Sequence, residues 1–177
     1  MEVLEVNDKR ILKVITILAI SGWSVLFKKG PIKDWFIVYL FKTFITTMID
    51  GPVVKKKLVS YPYRYLSKYF ETNIVFDYVI FPLLCVLYSQ FTYKLKPSKI
   101  IPSVFLFSGP MTIIQWWLEK NTKLVKYGKK WTSFHTLGVL TMTFWSSRVF
   151  IAFIRFLNRK RDIPQMGENG FRKDLEN

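Results

Sequence analysis

The stretch WTSFHTLGVLTMTFWSSRVFIAFI, residues 131–154, contains one charged side chain, Arg148. A helix of about 20 predominantly apolar residues crosses a bilayer core of about 30 Å, because it satisfies its backbone polar groups internally. The stretch is longer than that and lacks the alternation of charged and apolar residues that a soluble amphipathic helix needs. It therefore predicts a membrane-spanning helix.

Four further runs of the same kind lie upstream, and each contains at most one charged side chain. They cover residues 11–27, 35–49, 72–93 and 100–118. We therefore expect an all-α integral membrane bundle of about five transmembrane helices, a multi-pass protein of the cell membrane. The bundle forms one domain over residues 1–161, and the polar residues 162–177 are expected to be a mobile tail.

Charge and cysteine content narrow the class of protein further. The chain has 177 residues, 50% of them hydrophobic, one cysteine and a net charge of +15. One cysteine excludes a disulfide scaffold, and the hydrophobic half excludes a disordered chain. Five spans place thirteen loop lysines and arginines on one membrane face and twelve on the other. The charge therefore decides no orientation, and without a single basic stripe we expect no nucleic-acid binding.

Besides Lys13 at the start of the first run, two cations lie deeper within the predicted spans, Lys42 and Arg148. We call the face reached by the segments 50–71 and 119–130 side one, and the opposite face side two. Counted from side two, both cations lie roughly 8–12 Å deep at about 1.5 Å per residue. They either extend to the interface, or they hold an anion such as a lipid phosphate between them.

Acidic and imidazole groups gather at the side-one ends of the spans. Antiparallel threading brings Asp50, Asp77, Glu119 and His135 to this face. Such groups can do acid–base chemistry on a headgroup or bind a divalent cation. Alternatively, the acids pair with nearby lysines and His135 packs under Trp131. We favour these local pairings and expect no metal site and no cofactor, because the chain lacks the HExxH, GxSxG and Walker motifs.

The segment 115–136 is the most aromatic and basic part of the chain. It adds Asn121, Tyr127 and Trp131 to the predicted interfacial polar cluster. Tryptophan and tyrosine favour the headgroup level of a bilayer, and lysines there attract anionic lipids. We therefore expect this loop to contact membrane lipids.

The segments FDYVIFPLLCVLYSQFTYK (76–94) and GPMTIIQWWLEKNTKLVKYGKKWTSFHT (109–136) resemble a family of uncharacterised small multi-pass membrane proteins from spore-forming Gram-positive bacteria. The similarity extends from residue 31 to about residue 155. Lys130 departs from the pattern, which has glycine before the tryptophan. The matching positions are Asp77, Glu119, Asn121, Thr122, Tyr127, Trp131, Phe134, His135 and Thr136. The resemblance implies a membrane topology and a role for the side-one cluster, but no activity.

Two functions are compatible with these patterns. The first is a non-enzymatic membrane component that binds anionic lipids or a membrane-protein partner. The alternative is an intramembrane enzyme or small carrier for an anionic lipid or small anion. It would use Asp77, Glu119 and His135 as catalytic groups and Lys42 with Arg148 as anion ligands. The absence of catalytic motifs favours the first function.

Overall fold

Helices cover 76% of the computed structural model, which describes the backbone of residues 2–26, 30–65 and 68–174. Side chains are described for residues 9–23, 26, 30–49, 51–65 and 68–160. The elements, in chain order, are α1 (Glu2–Leu26), α2 (Ile32–Lys55), β1 (Val59–Ser60), a π-helical segment (Val75–Ile80), α3 (Phe81–Phe91), α4 (Pro97–Ser103), α5 (Phe105–Asn121), β2 (Lys126–Tyr127) and α6 (Ser133–Asp174).

Three described helical stretches are long and apolar enough to cross a membrane: Ile32–Lys55, Pro97–Asn121 and Ser133–Lys160. The stretch Val75–Phe91 is apolar but shorter, and α1 does not meet the same criteria over its described residues. The mostly helical architecture is confirmed, whereas the count of about five spans stays a prediction. The backbone of α6 continues to Asp174 and includes much of the expected tail, whose mobility also stays a prediction.

Buried polar side chains lie beside an apolar core that includes Trp35 and Phe144, and many large apolar side chains lie on the outside of the bundle. Lys42 and Thr46 of α2 are 2% and 1% exposed, and Ser147 of α6 is fully buried. On the outer faces of the same helices, Leu40 is 62% exposed and Val149 is 67% exposed. A protein surrounded by water would have the reverse distribution. The distribution fits an exterior in contact with hydrocarbon.

A proline shapes the entry to α3. Pro82 has no backbone N–H, so the carbonyl of Tyr78, four residues earlier, has no α-helical donor at that position. The hydroxyl of Tyr39 on α2 donates to this carbonyl at 2.5 Å. The π-helical segment ends at Ile80, two residues before this proline. This bond fixes α2 beside the start of α3, at the depth of Asp77.

The two short strands join the loops on side one. They pair antiparallel, Val59 opposite Tyr127 and Ser60 opposite Lys126. The N–H of Gly128 then donates to the carbonyl of Leu58 at 2.8 Å. The all-α expectation missed this pairing, because two-residue strands leave no alternating pattern in a sequence.

An ion pair joins the helices on side two. Arg155 Nε of α6 donates to Asp34 Oδ2 in the first turn of α2 at 2.6 Å. The guanidinium also lies 4.4 Å from the ring centroid of Tyr93 and 5.7 Å from that of Trp35. Both partners are largely buried, which strengthens the pair relative to an exposed one. The loop after α3 is thereby attached to α2 and α6.

Substituting Gly128→Ala should destabilise the side-one strand pair. A Cβ there would overlap the carbonyl oxygen of Lys57 and contact the backbone of Leu58. We expect a loss of about 1–3 kcal/mol in unfolding free energy, the usual cost of overpacking, measured by thermal unfolding in detergent. Gly138→Ala is the matched control, because a Cβ there meets nothing within 4 Å. Equal stability of the two variants would contradict the close approach.

Substituting Asp34→Asn should weaken the side-two attachment. The variant removes the carboxylate that accepts from Arg155, and bonds to charged groups contribute about 1.5–3 kcal/mol. We expect a lower unfolding temperature and a changed tryptophan emission, since Trp35 is next to the lost charge. Lys33→Gln, an exposed neighbour, is the control. An unchanged unfolding temperature in Asp34→Asn would contradict a structural role for the pair.

Candidate functional site

A cavity of about 60 Å³ lies where α2, α5, α6 and the π-helical segment meet the strand pair on side one. This volume holds a few water molecules or a small chemical group. Valines and phenylalanines form much of its wall. Its polar lining comes from Tyr61, Asp77, Gln115, Tyr127, Trp131 and Thr136. We call this space the polar cavity.

Asp77 is the buried carboxylate of the polar cavity, with 2% of its surface exposed. It belongs to the π-helical segment, and its backbone N–H donates to the carbonyl of Asn73 at 2.9 Å. The Asn73 side chain accepts from the N–H of Phe76 at 3.4 Å and so caps the start of the helix. The backbone thus holds the carboxylate in the wall of the cavity.

A directed chain of hydrogen bonds supports the opposite wall. The indole N–H of Trp131 donates to Thr136 Oγ1 at 2.9 Å, and this hydroxyl donates to the Tyr127 oxygen at 3.2 Å. An indole N–H can only donate, so Thr136 Oγ1 accepts from Trp131, which leaves the hydroxyl proton of Thr136 for its bond to Tyr127. Tyr127 therefore keeps its own O–H as a donor. The polar cavity combines this hydroxyl donor with the carboxylate acceptor of Asp77.

The environment of Tyr127 favours its neutral form. Burial raises the pKa of Tyr127 above its ordinary value of 10.0, the hydrogen bond with Thr136 lowers it in part, and the negative charge of Glu119 adds to the increase. At neutral pH the phenol therefore stays a hydrogen-bond donor rather than a charge.

Lys42 and Arg148 have contacts at different depths. Lys42 is hydrogen-bonded to Thr46, and its ammonium lies 3.9 Å from the ring centroid of Phe81, the first residue of α3. Arg148 Nε donates to Thr92 Oγ1, just beyond the end of α3, at 3.1 Å. These contacts are roughly 16 Å apart along the helix, at about 1.5 Å per residue.

The expectation of one anion held between Lys42 and Arg148 finds no support in these contacts. The helical rise per residue predicted similar membrane depths for the Cα atoms of Lys42 and Arg148. The long side chains then extend to opposite ends of α3. The Lys42 ammonium thus lies behind Phe81, which itself lines the polar cavity.

Several members of the predicted side-one cluster lie outside the polar cavity. Glu119 pairs with Lys120 at 3.5 Å, and exposed Asn121 donates to the carbonyl of Trp117 at 2.9 Å. His135 is also exposed. Its ring lies 5.5 Å from that of Trp131, and its Nδ1 is 2.8 Å from Thr132 Oγ1. The local pairings expected for Glu119 and His135 are thus present, while the side chain of Asp50 lies outside the described residues.

The arrangement offers hydrogen bonding rather than metal chemistry. Among the described residues, no group of three His, Cys, Asp or Glu side chains is close enough to hold a metal ion. The divalent-cation alternative for Asp77, Glu119 and His135 therefore has no geometric support. Asp77, Tyr127 and Trp131 are the predicted residues that do meet at one cavity.

Sequence reasoning did not select Gln115 as a site residue. Its amide lies in the wall of the polar cavity. The signal was present, because an amide in an otherwise charge-free span usually faces a bundle interior. Thr136 was named as a position of the family pattern. The hydrogen bonds that join Thr136 to Trp131 and Tyr127 depend on the fold of the loop, which the sequence pattern does not specify.

Comparison of the chain with protein-family models, curated proteins and solved structures finds no match. The resemblance to the family from spore-forming bacteria therefore stays a prediction. The function must be inferred from the geometry.

The Tyr127→Phe variant should remove a titration step above pH 10. Since the folded-state pKa is raised, the stabilisation from neutral Tyr127 is complete below pH 10 and falls as the pH rises through the higher value. We expect the tyrosinate absorbance of the wild type minus that of Tyr127→Phe to appear only above pH 10. A difference that titrates at or below pH 10 would contradict the buried, donating phenol.

Proposed function

We propose that this chain is a multi-pass, non-enzymatic component of the cell membrane that binds anionic lipid headgroups through its side-one face. The apolar exterior of the bundle supports contact with lipid. The remaining question is which part of the protein selects among lipids. Positive charge at the headgroup level selects anionic lipids, because each lysine there contributes about 1 kcal/mol of attraction to an anionic membrane surface.

The observation that carries the proposal is the joining of two lysine clusters by the strand pair. One cluster follows α2 and the other surrounds β2. Pairing of Ser60 with Lys126 and contact of Gly128 with Leu58 bring the two loops together. The exposed members are Lys55, Lys56, Lys57, Lys126, Lys129 and Lys130. We call this surface the lysine face.

Among the side chains that the structure describes, few acids neutralise the lysine face. Glu119 pairs with Lys120, and Asp77 is buried. Glu71 is the exposed carboxylate near the first cluster. The two membrane faces have similar numbers of loop lysines and arginines. This count does not reveal the clustering of lysines on side one, because it takes no account of which loops are in contact. The lysine face therefore gives side one a locally strong positive field.

The enzyme or carrier alternative has less support. Of the three proposed catalytic groups, Asp77 alone lines the polar cavity, while Glu119 and His135 lie outside it. Lys42 and Arg148 have contacts at opposite ends of α3. A membrane-protein partner is compatible with the same face and stays a prediction.

Replacing Lys126, Lys129 and Lys130 together by Gln should weaken selection for anionic lipid. The expected loss is at least about tenfold in the preference for phosphatidylglycerol over phosphatidylcholine, because three lysines contribute about 1 kcal/mol each and 1.4 kcal/mol is tenfold. The preference is measured from the lipid that co-purifies with the full chain out of mixed vesicles. It should also fall as salt is added.

The matched control is the triple replacement of Lys94, Lys96 and Lys99 by Gln. These exposed lysines lie on side two. The proposal expects this variant to retain most of the preference of the wild type. Equal losses in the two triple variants would contradict a specific role for the lysine face.

A further inference from the structure

Lys57, two residues after the end of α2, has a backbone conformation that lysine rarely adopts. Its φ is 54°, and within the described backbone it is the one non-glycine residue with a positive φ. In this left-handed region the Cβ of an ordinary side chain lies too close to a carbonyl oxygen, whereas glycine enters the region freely. The side chain of Lys57 therefore strains its own backbone.

The hydrogen bonds at the end of α2 explain why position 57 is left-handed. The N–H of Lys57 donates to the carbonyl of Val54 at 2.8 Å, and the N–H of Leu58 donates to that of Val53 at 3.1 Å. This pair of bonds is the Schellman motif, in which the left-handed residue is usually glycine. The bonds also occupy carbonyls at the helix end, which would otherwise repel an anion. The backbone thus favours glycine at a position where the sequence has lysine.

The side-one strand pair holds this strained turn in place. Gly128 lies directly against the carbonyl oxygen of Lys57, where a Cβ would overlap it. The N–H of Gly128 donates to the carbonyl of Leu58 at 2.8 Å. Strained backbone conformations persist only where their surroundings fix them, and they are concentrated at functional sites. The strain at Lys57 therefore points to a role for its side chain.

The side chain of Lys57 lies in the wall of a pocket of about 260 Å³ on side one, which we call the basic pocket. The other charged groups in this wall are Lys55, Arg64 and Glu71, and Ser60 adds a hydroxyl. Three cations against one carboxylate give the pocket a net positive charge. Phosphate oxygens accept hydrogen bonds from ammonium and hydroxyl groups, so the wall suits a phosphate.

Arg64 holds the loop that forms part of this wall. Its Nε donates to the carbonyl of Phe70 at 2.7 Å, and its Nη1 donates to the carbonyl of Tyr61 at 2.6 Å. The guanidinium thus adds charge to the pocket while it fixes the loop. Lys55 and Lys57 are both exposed, which leaves them accessible to a ligand.

General attraction of anions does not account for a lysine at position 57. Lys56 is exposed beside it and supplies the same charge with an ordinary φ of −76°. Lys56 is not part of the pocket wall. What distinguishes Lys57 from its neighbour is therefore its place in the basic pocket.

We propose that the basic pocket binds a phosphate ester and that the ammonium of Lys57 is its principal ligand, with Lys55 and Ser60 completing the site. The inference rests on the proposed function and deepens it, because it assigns headgroup recognition to one pocket rather than to the whole lysine face. The phosphate ester belongs either to a lipid headgroup or to a soluble molecule, and the test distinguishes these sources.

The first test compares two single lysine variants by equilibrium binding of the full chain in a non-ionic detergent. Phosphatidylglycerol is the probe in one series, and glycerol 1-phosphate is the probe in the other. Lys57→Gln should weaken binding at least about thirtyfold, because it loses a charge-assisted hydrogen bond as well as its share of the general field. The matched control, Lys56→Gln, should weaken binding about fivefold, through the field alone. Added salt should reduce the effect of the control more.

The second test separates backbone strain from charge. Lys57→Gly relieves the strain and removes the ammonium, so it should unfold about 2–4 °C higher than the wild type and bind as weakly as Lys57→Gln. Lys56→Gly is the control for stability. It should not unfold at a higher temperature, because position 56 has no left-handed strain to relieve. Thermal unfolding also checks that every variant is folded.

Three outcomes would overturn the inference. They are equal losses of binding in Lys57→Gln and Lys56→Gln, no binding of either probe by the wild type, and a lower unfolding temperature in Lys57→Gly than in the wild type. Binding of phosphatidylglycerol alone, with the expected loss in Lys57→Gln, identifies a lipid headgroup. Binding of glycerol 1-phosphate at least as tightly, with the same loss, identifies a soluble phosphate ester.

Failure of this inference is distinguishable from failure of the proposed function. Loss of anionic preference in the Lys126, Lys129 and Lys130 variant, together with equal effects of Lys56→Gln and Lys57→Gln, would overturn only the phosphate site. Binding of glycerol 1-phosphate without phosphatidylglycerol would keep the site and contradict the lipid-binding function.

Discussion

Hydrocarbon offers no hydrogen-bond partner, so a chain that crosses a membrane is stabilised when its polar groups find partners inside the protein. The hydroxyl side chains of this chain meet that requirement largely within their own helices. Thr112 donates to the carbonyl of Ser108 at 2.7 Å, and Thr143 donates to that of Val139 at 2.8 Å. Thr141 instead bonds Ser108 across two helices at 3.2 Å. Leucine, isoleucine and phenylalanine side chains form much of the exposed surface of the long helices, as a membrane-spanning bundle requires.

The same requirement concentrates polar function at side one. Where the helices end, water is available and backbone groups can pair as strands, so β1 and β2 form there. Their pairing places Tyr127 in the wall of the polar cavity and joins the two lysine clusters. Pro82 makes a comparable contribution from the helical side, because the carbonyl it leaves free binds Tyr39 and holds α2 next to Asp77. The proposed lipid selectivity depends on both attachments.

The sequence predicted the mostly helical architecture and the three helices that are long and apolar enough to cross a membrane, since long charge-free runs are visible without any tertiary contact, whereas the count of five spans stays a prediction. It also grouped Asp77, Tyr127 and Trp131 on one face, which follows from antiparallel threading. The alternative of an anion held between Lys42 and Arg148 finds no support in their contacts, because helical rise locates Cα atoms and not the ends of long side chains. The Asp34–Arg155 pair joins residues 121 positions apart. No local pattern contains such a contact, and the same is true of the strand pair that builds the lysine face.

The account depends most on the two lysine loops sharing one membrane face. Cysteine labelling in intact cells tests this directly, with a membrane-impermeant maleimide and the variants Lys56→Cys, Lys129→Cys and Lys94→Cys. Native Cys85 is fully buried and should give no background. The account predicts that positions 56 and 129 behave alike and that position 94 behaves oppositely. Different labelling of positions 56 and 129, or identical labelling of all three, would contradict it.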